Sequence, residues 1–336
     1  DKFYELIKND DIMYLFSPYD VERIYGVPFS YVDITKEYDN MVNNPEIRKS
    51  KLRARDLENE ISKLQQESGY PYVVNIDTAN RVNPIDGKII MSNLCSEILQ
   101  VQEPSVINNA QEYEHLGTDI SCNLGSTNIV NLMKSPDFER SVDVAVRALT
   151  FVTDHSSIDA VPTVKNGNSK AHTIGLGAMG LHTFFALNQM EYGSPESIEA
   201  TDLYFRMLNF YTLKASNKIA KERGKSFEGF ERSKYATGEY FESYIAEDVQ
   251  IQSDKVKKIF AKLPIPTAED WKQLKEDVMN GGLYHQNRLA IAPTGSISYV
   301  NETSASLHPI TRLIEERQEK KTGKTYYPAP FLSNDT

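Results

Sequence analysis

Three side chains capable of hydrogen-bonding, thiol and acid–base chemistry lie within five residues. Asn93, Cys95 and Glu97 alternate with Leu94 and Ser96. Alternate side chains of an extended segment point to the same side, so the amide, the thiol and the carboxylate are predicted to share one face. Such a face suits chemistry on a polyhydroxylated substrate. The alternative is that Cys95 is a small core hydrophobe, which is the commoner role of a cysteine outside a disulfide.

The second cysteine, Cys122, lies in a short strand-like run from Thr118 to Asn128 that is bounded by Gly125. A second thiol in such a run predicts a second site residue. The burial statistics of cysteine equally allow a buried and inert thiol at this position. The residues of the run do not decide between these two interpretations.

A tight turn after a buried strand forms the third candidate site. Leu289 to Ala292 is apolar and typical of a buried strand, and Pro293 to Ser296 is typical of a turn that opens a helix. Backbone N–H groups at such a turn, with the hydroxyls of Thr294, Ser296 and Ser298, can hold a phosphate group. The alternative is simple helix capping by small polar residues.

Size and composition are those of an ordinary globular protein. The chain has 336 residues, 40% of them hydrophobic and 25% charged, so we expect a large core in one large domain or two ordinary ones. The net charge of −10 argues against a broad surface for nucleic acid or for an anionic membrane, because both need clustered Lys and Arg. An anionic small molecule is still compatible with this charge, since backbone N–H groups can hold its phosphates.

Cysteine usage and hydropathy indicate a reducing, aqueous compartment. The 2 cysteines make no disulfide framework and no zinc-binding spacing, so we predict a cytoplasmic protein without a metal. His285 and His308 are predicted to be structural. No apolar run reaches the roughly 18 residues of a transmembrane helix, and the first residues are not a signal peptide. The chain does not begin with Met, so we expect an internal piece of a longer protein.

Apolar periodicity and helix caps predict the elements that position these residues. Helices are predicted at 2–8, from Leu57 to Gly69, and at 137–155, 194–224, 255–260 and 268–279. A buried strand is predicted at 72–74, a turn at 83–87, loops at 14–31, 103–117, 165–169 and 225–253, and a charged face or loop at 315–324.

The segment from Gly175 to Gly180 matches the GxGxxG motif of dinucleotide-binding folds, but its context does not. No convincing buried strand precedes the motif, and no second strand carries an acidic residue about twenty positions further on. We predict instead that these glycines permit close backbone packing at the entrance of a helix.

Taken together, these stretches resemble the large (alpha, catalytic) subunits of class Ib ribonucleotide reductases. The matching segments, which occur in one order along essentially the whole chain, are Leu15–Tyr19, Ile61–Tyr72, Asn93–Glu97, Asp119–Asn128, Gly175–Gly180, Ala292–Tyr299 and Tyr326–Ala329. The resemblance implies an α/β fold, a ten-stranded α/β barrel of two five-stranded parallel halves. Residues 88–100 would form a finger loop through its centre, and residues 292–298 a phosphate-binding turn. Residues 1–336 would be a partial catalytic barrel domain, incomplete at both ends.

The resemblance also implies a role for each candidate residue. The cysteine that matches Cys95 becomes a thiyl radical and abstracts the ribose 3′ hydrogen, while the residue that matches Glu97 takes the 3′-hydroxyl proton. Asn93 matches a residue that hydrogen-bonds to the substrate, and Cys122 matches one of two cysteines that supply reducing equivalents. The implied substrate-binding residues are Asn93, Leu94, Cys95, Ser96, Glu97, Pro293, Thr294, Gly295, Ser296 and Ile297.

The implied activity is radical-based reduction of ribonucleoside diphosphates to 2′-deoxyribonucleoside diphosphates for DNA synthesis. The implied partners are a beta subunit, whose metallo-cofactor supplies the radical, a glutaredoxin-like reductant and, at full length, a second alpha subunit. No cofactor would bind this chain directly, and nucleotide effectors would act on the full-length protein.

In that family the other redox cysteine lies upstream of Asp1, and the relay tyrosines and a C-terminal cysteine pair lie beyond Thr336. Tyr326 and Tyr327 are therefore not given the relay role, and the isolated chain is expected to be inactive. Two other interpretations stay open. The chain could be a non-catalytic or split-gene segment that works only after assembly, or an ordinary thiol enzyme with Cys95 as nucleophile.

Overall fold

The computed structural model describes residues 1–156, 158–246, 248–319 and 323–332. The chain divides into two compact units. The first unit comprises Asp1–Asn83 and Gly87–Val101, and the second comprises Pro84–Asp86 and Gln102–Thr336. Both units mix helices with strands, so the α/β class predicted from the sequence is confirmed.

The first unit packs helices around a two-stranded antiparallel sheet. Its elements are α1 (Lys2–Asn9), β1 (Ile12–Phe16), α2 (Pro18–Tyr25), a 3₁₀ turn (Phe29–Tyr31), α3 (Ile34–Asn43), β2 (Lys49–Arg53), α4 (Ala54–Ser68) and α5 (Ile76–Val82). Strands β1 and β2 pair from Ile12 opposite Arg53 to Phe16 opposite Lys49. Apolar side chains of α2 and α3, including Val21 and Met41, form a buried cluster that holds these helices together.

Two predictions for the first unit are wrong. The predicted aromatic-rich loop at 14–31 contains part of a strand and a helix, because the Ser17 hydroxyl accepts the N–H of Asp20 and caps α2. The predicted strand at 72–74 is absent, and Tyr72 and Val73 are about half exposed. An apolar run without a neighbouring strand has no backbone partners, so these residues stay irregular.

The second unit is larger and mostly helical. Its first elements are β3 (Val106–Ile107), β4 (Tyr113–His115), β5 (Leu124–Asn128), α6 (Ile129–Leu132), α7 (Phe138–His155), α8 (Pro162–Ala171), β6 (Gly175–Met179) and α9 (Leu181–Leu187). There follow α10 (Pro195–Arg223), 3₁₀ turns at Phe230–Arg232 and Glu239–Phe241, α11 (Glu242–Ala246), α12 (Asp254–Phe260), α13 (Ala268–Gly281), α14 (Ile297–Val300), β7 (Ile314–Glu319) and β8 (Gly323–Pro328). The long helix α10 is buried along much of its length and packs against α7 and α13.

Three parallel segments lie side by side in the second unit. Strands β5 and β6 pair in parallel from Leu124 opposite Gly175 onwards. On the other side of β6, the N–H of Leu176 donates to the carbonyl of Arg288 at 2.8 Å, and the two chains run in parallel. Strands β5 and β6 lead directly into α6 and α9, and the third segment leads through a turn into α14. Ligands of parallel α/β sheets bind at such carboxyl ends.

A ten-stranded barrel is not seen within the described ranges. Their strands form four two-stranded sheets, of which one is parallel and three are antiparallel. Only the parallel pair, with the single bridge between Leu176 and Leu289, has the geometry of neighbouring barrel strands. The coarse α/β prediction is therefore confirmed, while the closed barrel stays a prediction.

Several local predictions for the second unit also differ from the structure. The predicted loop at 165–169 lies within α8, and the predicted loop at 103–117 contains the β3–β4 hairpin. For the predicted charged face or loop at 315–324, the described residues lie in the paired strands β7 and β8, and the exposure of Glu315 and Glu316 agrees with a charged face. Residues 320–322 of this prediction lie outside the described residues. The polar loop at 225–253 contains two 3₁₀ turns and α11. The other predicted helices are confirmed as α1, α4, α7, α10, α12 and α13.

The GxGxxG segment is itself a buried strand, β6, and not the loop after one. A Cβ at Gly177 would lie 2.2 Å from the carbonyl oxygen of Ala290, so only glycine allows the two backbones to approach this closely. Gly180 ends the strand with a φ of 87° and caps α9. The predicted role of the glycines in close packing is confirmed.

Candidate active site

In the first unit, residues 88–100 form a loop with neither helix nor strand. The N–H of Ser96 donates to the carbonyl of Asn93 at 3.1 Å, and Ser96 has a left-handed φ of 63°. Leu94 and Cys95 therefore lie at the tip of a tight turn. The prediction that Asn93, Cys95 and Glu97 share a strand face is wrong, because a turn does not keep the alternation of an extended chain.

The Asn93 side chain closes this turn and keeps its donor group available. Its Oδ1 accepts the N–H of Ile98 at 3.0 Å, while the Ser92 hydroxyl donates to the Asn93 carbonyl at 3.1 Å. Among the described residues, no acceptor is found for the Asn93 Nδ2 group. The amide is therefore oriented by the backbone and can donate hydrogen bonds to a bound molecule.

The thiol and the carboxylate of the loop lie in different environments. Cys95 is exposed at the turn, as is its neighbour Leu94. The Oε2 atom of Glu97 is buried and has no hydrogen-bond partner within the described part of the chain. A buried carboxylate oxygen without a partner is costly, so this atom is suited to accept a proton from a ligand. The Cys95 thiol is accessible, which rules out the alternative of a small buried hydrophobe.

An amide on α5 holds the start of the loop. The Asn80 Nδ2 group donates to the Ile89 carbonyl, and its Oδ1 accepts the Ile89 N–H, both at 2.9 Å. The Lys88 ammonium donates to the carbonyl of Tyr31 at 2.9 Å. Sequence reasoning missed Asn80, because nothing in its spacing separates a side chain that pairs with the backbone from one that faces solvent. Ile89 and Ile98 are buried at either end of the reactive turn.

In the second unit, the predicted phosphate-binding turn lines a cavity of about 270 Å³. The lining residues are Leu124, Gly125, Ser126, Ala292, Thr294, Gly295, Ser296 and Ile297. The start of β5 thus forms one wall, and the turn after the third parallel segment forms the other. Pro293, the first residue of the predicted turn, is exposed and is not among the lining residues.

Two of the three hydroxyls predicted to hold phosphate also brace the turn. Thr294 has a φ of 51°, and its hydroxyl accepts the N–H of Ser306 at 2.7 Å. The Ser298 hydroxyl donates to the carbonyl of Gly295 at 3.4 Å. Within the described ranges, the N–H groups of Gly295, Ser296 and Ile297 have no protein acceptor. These three N–H groups, the exposed Ser296 side chain and the O–H of Thr294, for which the described residues contain no acceptor, are the available donors.

Cys122 lies two residues before Leu124, the first residue of this cavity wall. Its side chain is exposed, while Ser121 before it is only 2% exposed. The alternative of a buried, inert thiol is therefore wrong for Cys122. The predicted strand begins later than expected, at Leu124, so Gly125 lies inside β5 and does not bound it. Cys122 and the turn belong to the second unit, whereas Cys95 belongs to the first.

Comparison with known proteins identifies the family. The model of the ribonucleotide reductase barrel domain matches residues 1–335. This chain belongs to the ribonucleotide reductase barrel-domain family. It is 43% identical over 337 residues to the ribonucleoside-diphosphate reductase subunit alpha of Bacillus subtilis, and this match covers 100% of the chain and 48% of that protein.

Two further relatives of this ribonucleotide reductase domain carry the same name. The protein of Mycoplasma pneumoniae is 42% identical over 342 residues, covering 100% of this chain and 47% of the relative. The protein of Helicobacter pylori is 28% identical over 361 residues, covering 92% of this chain and 44% of the relative. The chain thus spans about half the length of the curated relatives it matches.

The histidines of this ribonucleotide reductase domain do not form a ligand set. His285 is fully buried, and its Nε2 and Nδ1 atoms lie 3.0 and 2.9 Å from the hydroxyls of Thr150 and Ser216. Burial lowers the pKa of His285 well below its ordinary value, so the ring is neutral. Its predicted structural role is confirmed, whereas His308 is exposed.

Two other kinds of site are absent from the described residues. They contain no cluster of three or more His, Cys, Asp or Glu side chains that could hold a metal ion. They also contain no helix with the length and the apolar character needed to cross a bilayer.

Proposed function

We propose that this chain forms part of the barrel of a class Ib ribonucleoside-diphosphate reductase alpha subunit. The enzyme would reduce ribonucleoside diphosphates to 2′-deoxyribonucleoside diphosphates for DNA synthesis. The observation that carries the proposal is the family match over residues 1–335, supported by relatives of that name that align with the whole chain. The three parallel segments of the second unit are proposed to be neighbouring strands of a ten-stranded barrel.

The loop at 88–100 is proposed to carry the radical chemistry. A thiyl radical on Cys95 would abstract the ribose 3′ hydrogen, and its exposure at the tip of a turn leaves the sulfur accessible. An S–H bond is close in strength to an activated ribose C–H bond, so the hydrogen can move in both directions. The buried oxygen of Glu97 would take the 3′-hydroxyl proton, and Asn93 would donate a hydrogen bond to the substrate.

The second unit is proposed to hold the diphosphate and to supply reducing equivalents. The N–H groups of Gly295, Ser296 and Ile297 face no protein acceptor in the described part of the chain, which supports their role as phosphate donors. Pro293 and Thr294 would fix the shape of the turn. Cys122 would be one of the two thiols that become a disulfide as the 2′-hydroxyl leaves as water.

The proposed partners follow from the family and not from a contact in this chain. A separate beta subunit would supply the radical from its own metallo-cofactor, and a glutaredoxin-like protein would restore the thiols. The complete alpha subunit is proposed to be a cytoplasmic homodimer that responds to nucleotide effectors. Relatives named as subunit alpha support the need for a second type of subunit.

A chimaeric enzyme tests this function. The segment of the Bacillus subtilis alpha subunit that aligns with this chain is replaced by the chain, and the chimaera is mixed with the beta subunit and a reductant. We expect formation of deoxyribonucleoside diphosphates. Cys95→Ser should abolish it, because an O–H bond is too strong for the exchange, and Glu97→Gln should lower the rate by roughly 10²–10⁴-fold.

The matched control is Ser50→Ala, which changes an exposed serine of β2 and should leave turnover unchanged. Product formation by the Cys95→Ser chimaera would contradict the assigned radical residue. A chimaera that folds and binds the beta subunit but forms no product would favour the alternative of a non-catalytic segment.

A further inference from the structure

Helix α8 lies against residues 116–123 of the second unit, which carry Cys122 and are called the cysteine segment. The Asn166 Nδ2 group donates to the carbonyls of Leu116 and Gly117 at 3.1 and 3.0 Å. One turn earlier, the carbonyl of Thr163 accepts the N–H of Asp119 at 3.1 Å. These bonds attach the segment to α8 on the N-terminal side of the cysteine.

A second set of bonds lies at the residues that flank Cys122. The Ser121 hydroxyl donates to the Asn168 Oδ1 atom at 2.9 Å. The Asn123 Nδ2 group reaches the same oxygen at 3.2 Å and the Ser121 hydroxyl at 3.1 Å. One side-chain oxygen of α8 therefore accepts hydrogen bonds from both neighbours of the cysteine.

The other end of the Asn168 amide is held by α7. Its Nδ2 group donates to the carbonyl of Thr153 at 2.7 Å. The Thr153 hydroxyl donates to the Thr173 carbonyl at 3.0 Å, and Asn123 donates to that carbonyl at 3.3 Å. Asn168, Ser121, Thr153 and Thr173 are all buried. A buried polar network of this kind specifies a single arrangement, because any other leaves polar groups without partners.

These bonds have a direct consequence for the thiol. Ser121 is buried in the network, whereas Cys122 is exposed. The chain is thus held immediately before and after the cysteine. This restricts the positions that the Cys122 side chain can take. A thiol that must meet a second sulfur within bonding distance benefits from such restriction, since disulfide geometry tolerates little variation.

We propose that Asn168 is a positioning residue for Cys122, holding the cysteine through hydrogen bonds to Ser121 and Asn123. The purpose of this positioning, supply of reducing equivalents by Cys122, rests on the proposed function. The positioning itself is a property of this chain and can be measured without substrate. Asparagine suits the position because one neutral side chain accepts from the cysteine segment and donates to α7.

A spin label on Cys122 tests the proposal in the full chain. The chain has 2 cysteines, so Cys95→Ser leaves Cys122 as the only labelling site for a nitroxide. We expect a predominantly immobile electron paramagnetic resonance spectrum. Asn168→Ala should at least double the mobile fraction, and Ser121→Ala, which removes only one of the two hydrogen bonds that the Asn168 Oδ1 atom accepts, should raise it less. Asn168→Asp keeps the accepting oxygen and should recover at least half of the immobile fraction.

The matched control is Asn217→Ala on α10. Asn217 is also a buried asparagine, and its Nδ2 group donates to the carbonyls of Asp277 and Gly282 at 2.9 and 2.8 Å, away from the cysteine segment. This variant should leave the mobile fraction at Cys122 unchanged. A nitroxide on Cys95, in the Cys122→Ser chain, should likewise not respond to Asn168→Ala.

The proposal is overturned if Asn168→Ala leaves the Cys122 spectrum unchanged, or if Asn217→Ala mobilises the label equally. If Asn168→Ala does not fold, Ser121→Ala and Asn123→Ala decide, and an unchanged spectrum in both overturns it. The experiment needs neither a beta subunit nor substrate. If Asn168→Ala mobilises the label on Cys122 but the chimaera forms no product, only the proposed function is rejected. If the chimaera is active but Asn168→Ala leaves the label unchanged, only the positioning role is rejected.

Discussion

Side-chain amides hold both cysteine-bearing segments. Asn80 pairs with both backbone groups of Ile89, much as a neighbouring strand would, and Asn168 joins the flanks of Cys122 to α7. An amide donates and accepts without carrying charge, so its burial costs less than that of an ion.

His172 provides a prediction about stability and pH. The ring is buried and stacks on Tyr284, and burial followed by the charge of Lys225 lowers its pKa to about 4. The unfolded chain, with an ordinary histidine pKa of about 6.5, therefore binds the proton first as the pH falls. The stabilising contribution of the neutral ring is fully present above pH ~6.5 and is lost towards pH ~4, by an amount on the order of 3 kcal/mol.

Substitution of His172 by asparagine should remove this dependence. Asparagine tolerates the left-handed φ of 46° at this position. We expect the free energy of unfolding, measured with urea at pH 7 and pH 4.5, to differ less in His172→Asn than in the unsubstituted chain. His308→Asn, at an exposed histidine, is the control and should keep the original difference. An unaltered pH difference in His172→Asn would refute the assignment.

Helices that carry their own signals were predictable from the sequence. Helix α10 begins at the cap Ser194, which accepts the N–H of Ser197, and ends at Gly224 with a left-handed φ of 65°. Helix α7 shows apolar residues at helical spacing, with Val142 and Val146 fully buried. In both cases residues that are close in the sequence determine the start, the end and the buried face of the helix, so no tertiary information is needed to predict it.

Helix α8 was not predictable because its stability comes from distant residues. The segment from Lys165 to Ser169 is polar and contains a glycine, which is typical of a loop. In the structure, Asn166 and Asn168 bond to the cysteine segment about 50 residues earlier in the chain. Such tertiary bonds override local propensity, and a single sequence does not reveal them.

The candidate site was also predictable only in part, because the sequence indicated its residues but not its geometry. Residue types and family resemblance selected Asn93, Cys95 and Glu97, and the structure places all three in one loop. The strand geometry inferred from their spacing was wrong, since the left-handed φ of Ser96 makes a turn there. Serine rarely adopts this conformation, so its identity gives no warning. The family match also leaves the assigned roles to be tested by substitution.

The packing of α8 on the cysteine segment predicts the effect of Gly167→Ala. A Cβ at Gly167 would lie 2.3 Å from the carbonyl oxygen of Asp119, so the helix or the segment must move. We expect a net loss of up to about 2 kcal/mol, because overpacking costs about 1–3 kcal/mol and alanine regains roughly 1 kcal/mol over glycine in a helix. Urea unfolding measures the difference.

Gly295→Ala is the matched control for this substitution. A Cβ at Gly295 would have nothing within 4 Å, so the free energy of unfolding should change little. A Gly167→Ala chain that is more stable than the unsubstituted chain by roughly 1 kcal/mol would show that the contact with Asp119 relaxes without cost.

The number of thiols in the whole chain limits what it can do alone. Replacing a 2′-hydroxyl by hydrogen, with release of water, is a two-electron reduction, and two thiols supply it by forming a disulfide. The chain contains 2 cysteines in total. In the proposed reaction Cys95 returns unchanged after each cycle, so Cys122 is the only thiol left to act as a reductant. A second reducing thiol must therefore come from outside this chain.

We therefore expect the 336-residue chain, mixed with a beta subunit and a glutaredoxin-like reductant, to show no sustained turnover. The relative's alpha subunit also has segments that this chain does not match. Addition of these segments should restore deoxyribonucleotide formation, because they would supply the second reducing thiol. The restored activity should disappear with Cys122→Ser, since one thiol cannot close the disulfide. Product is quantified per chain by chromatography, and several products per chain without the added segments would contradict the requirement for a thiol from those segments.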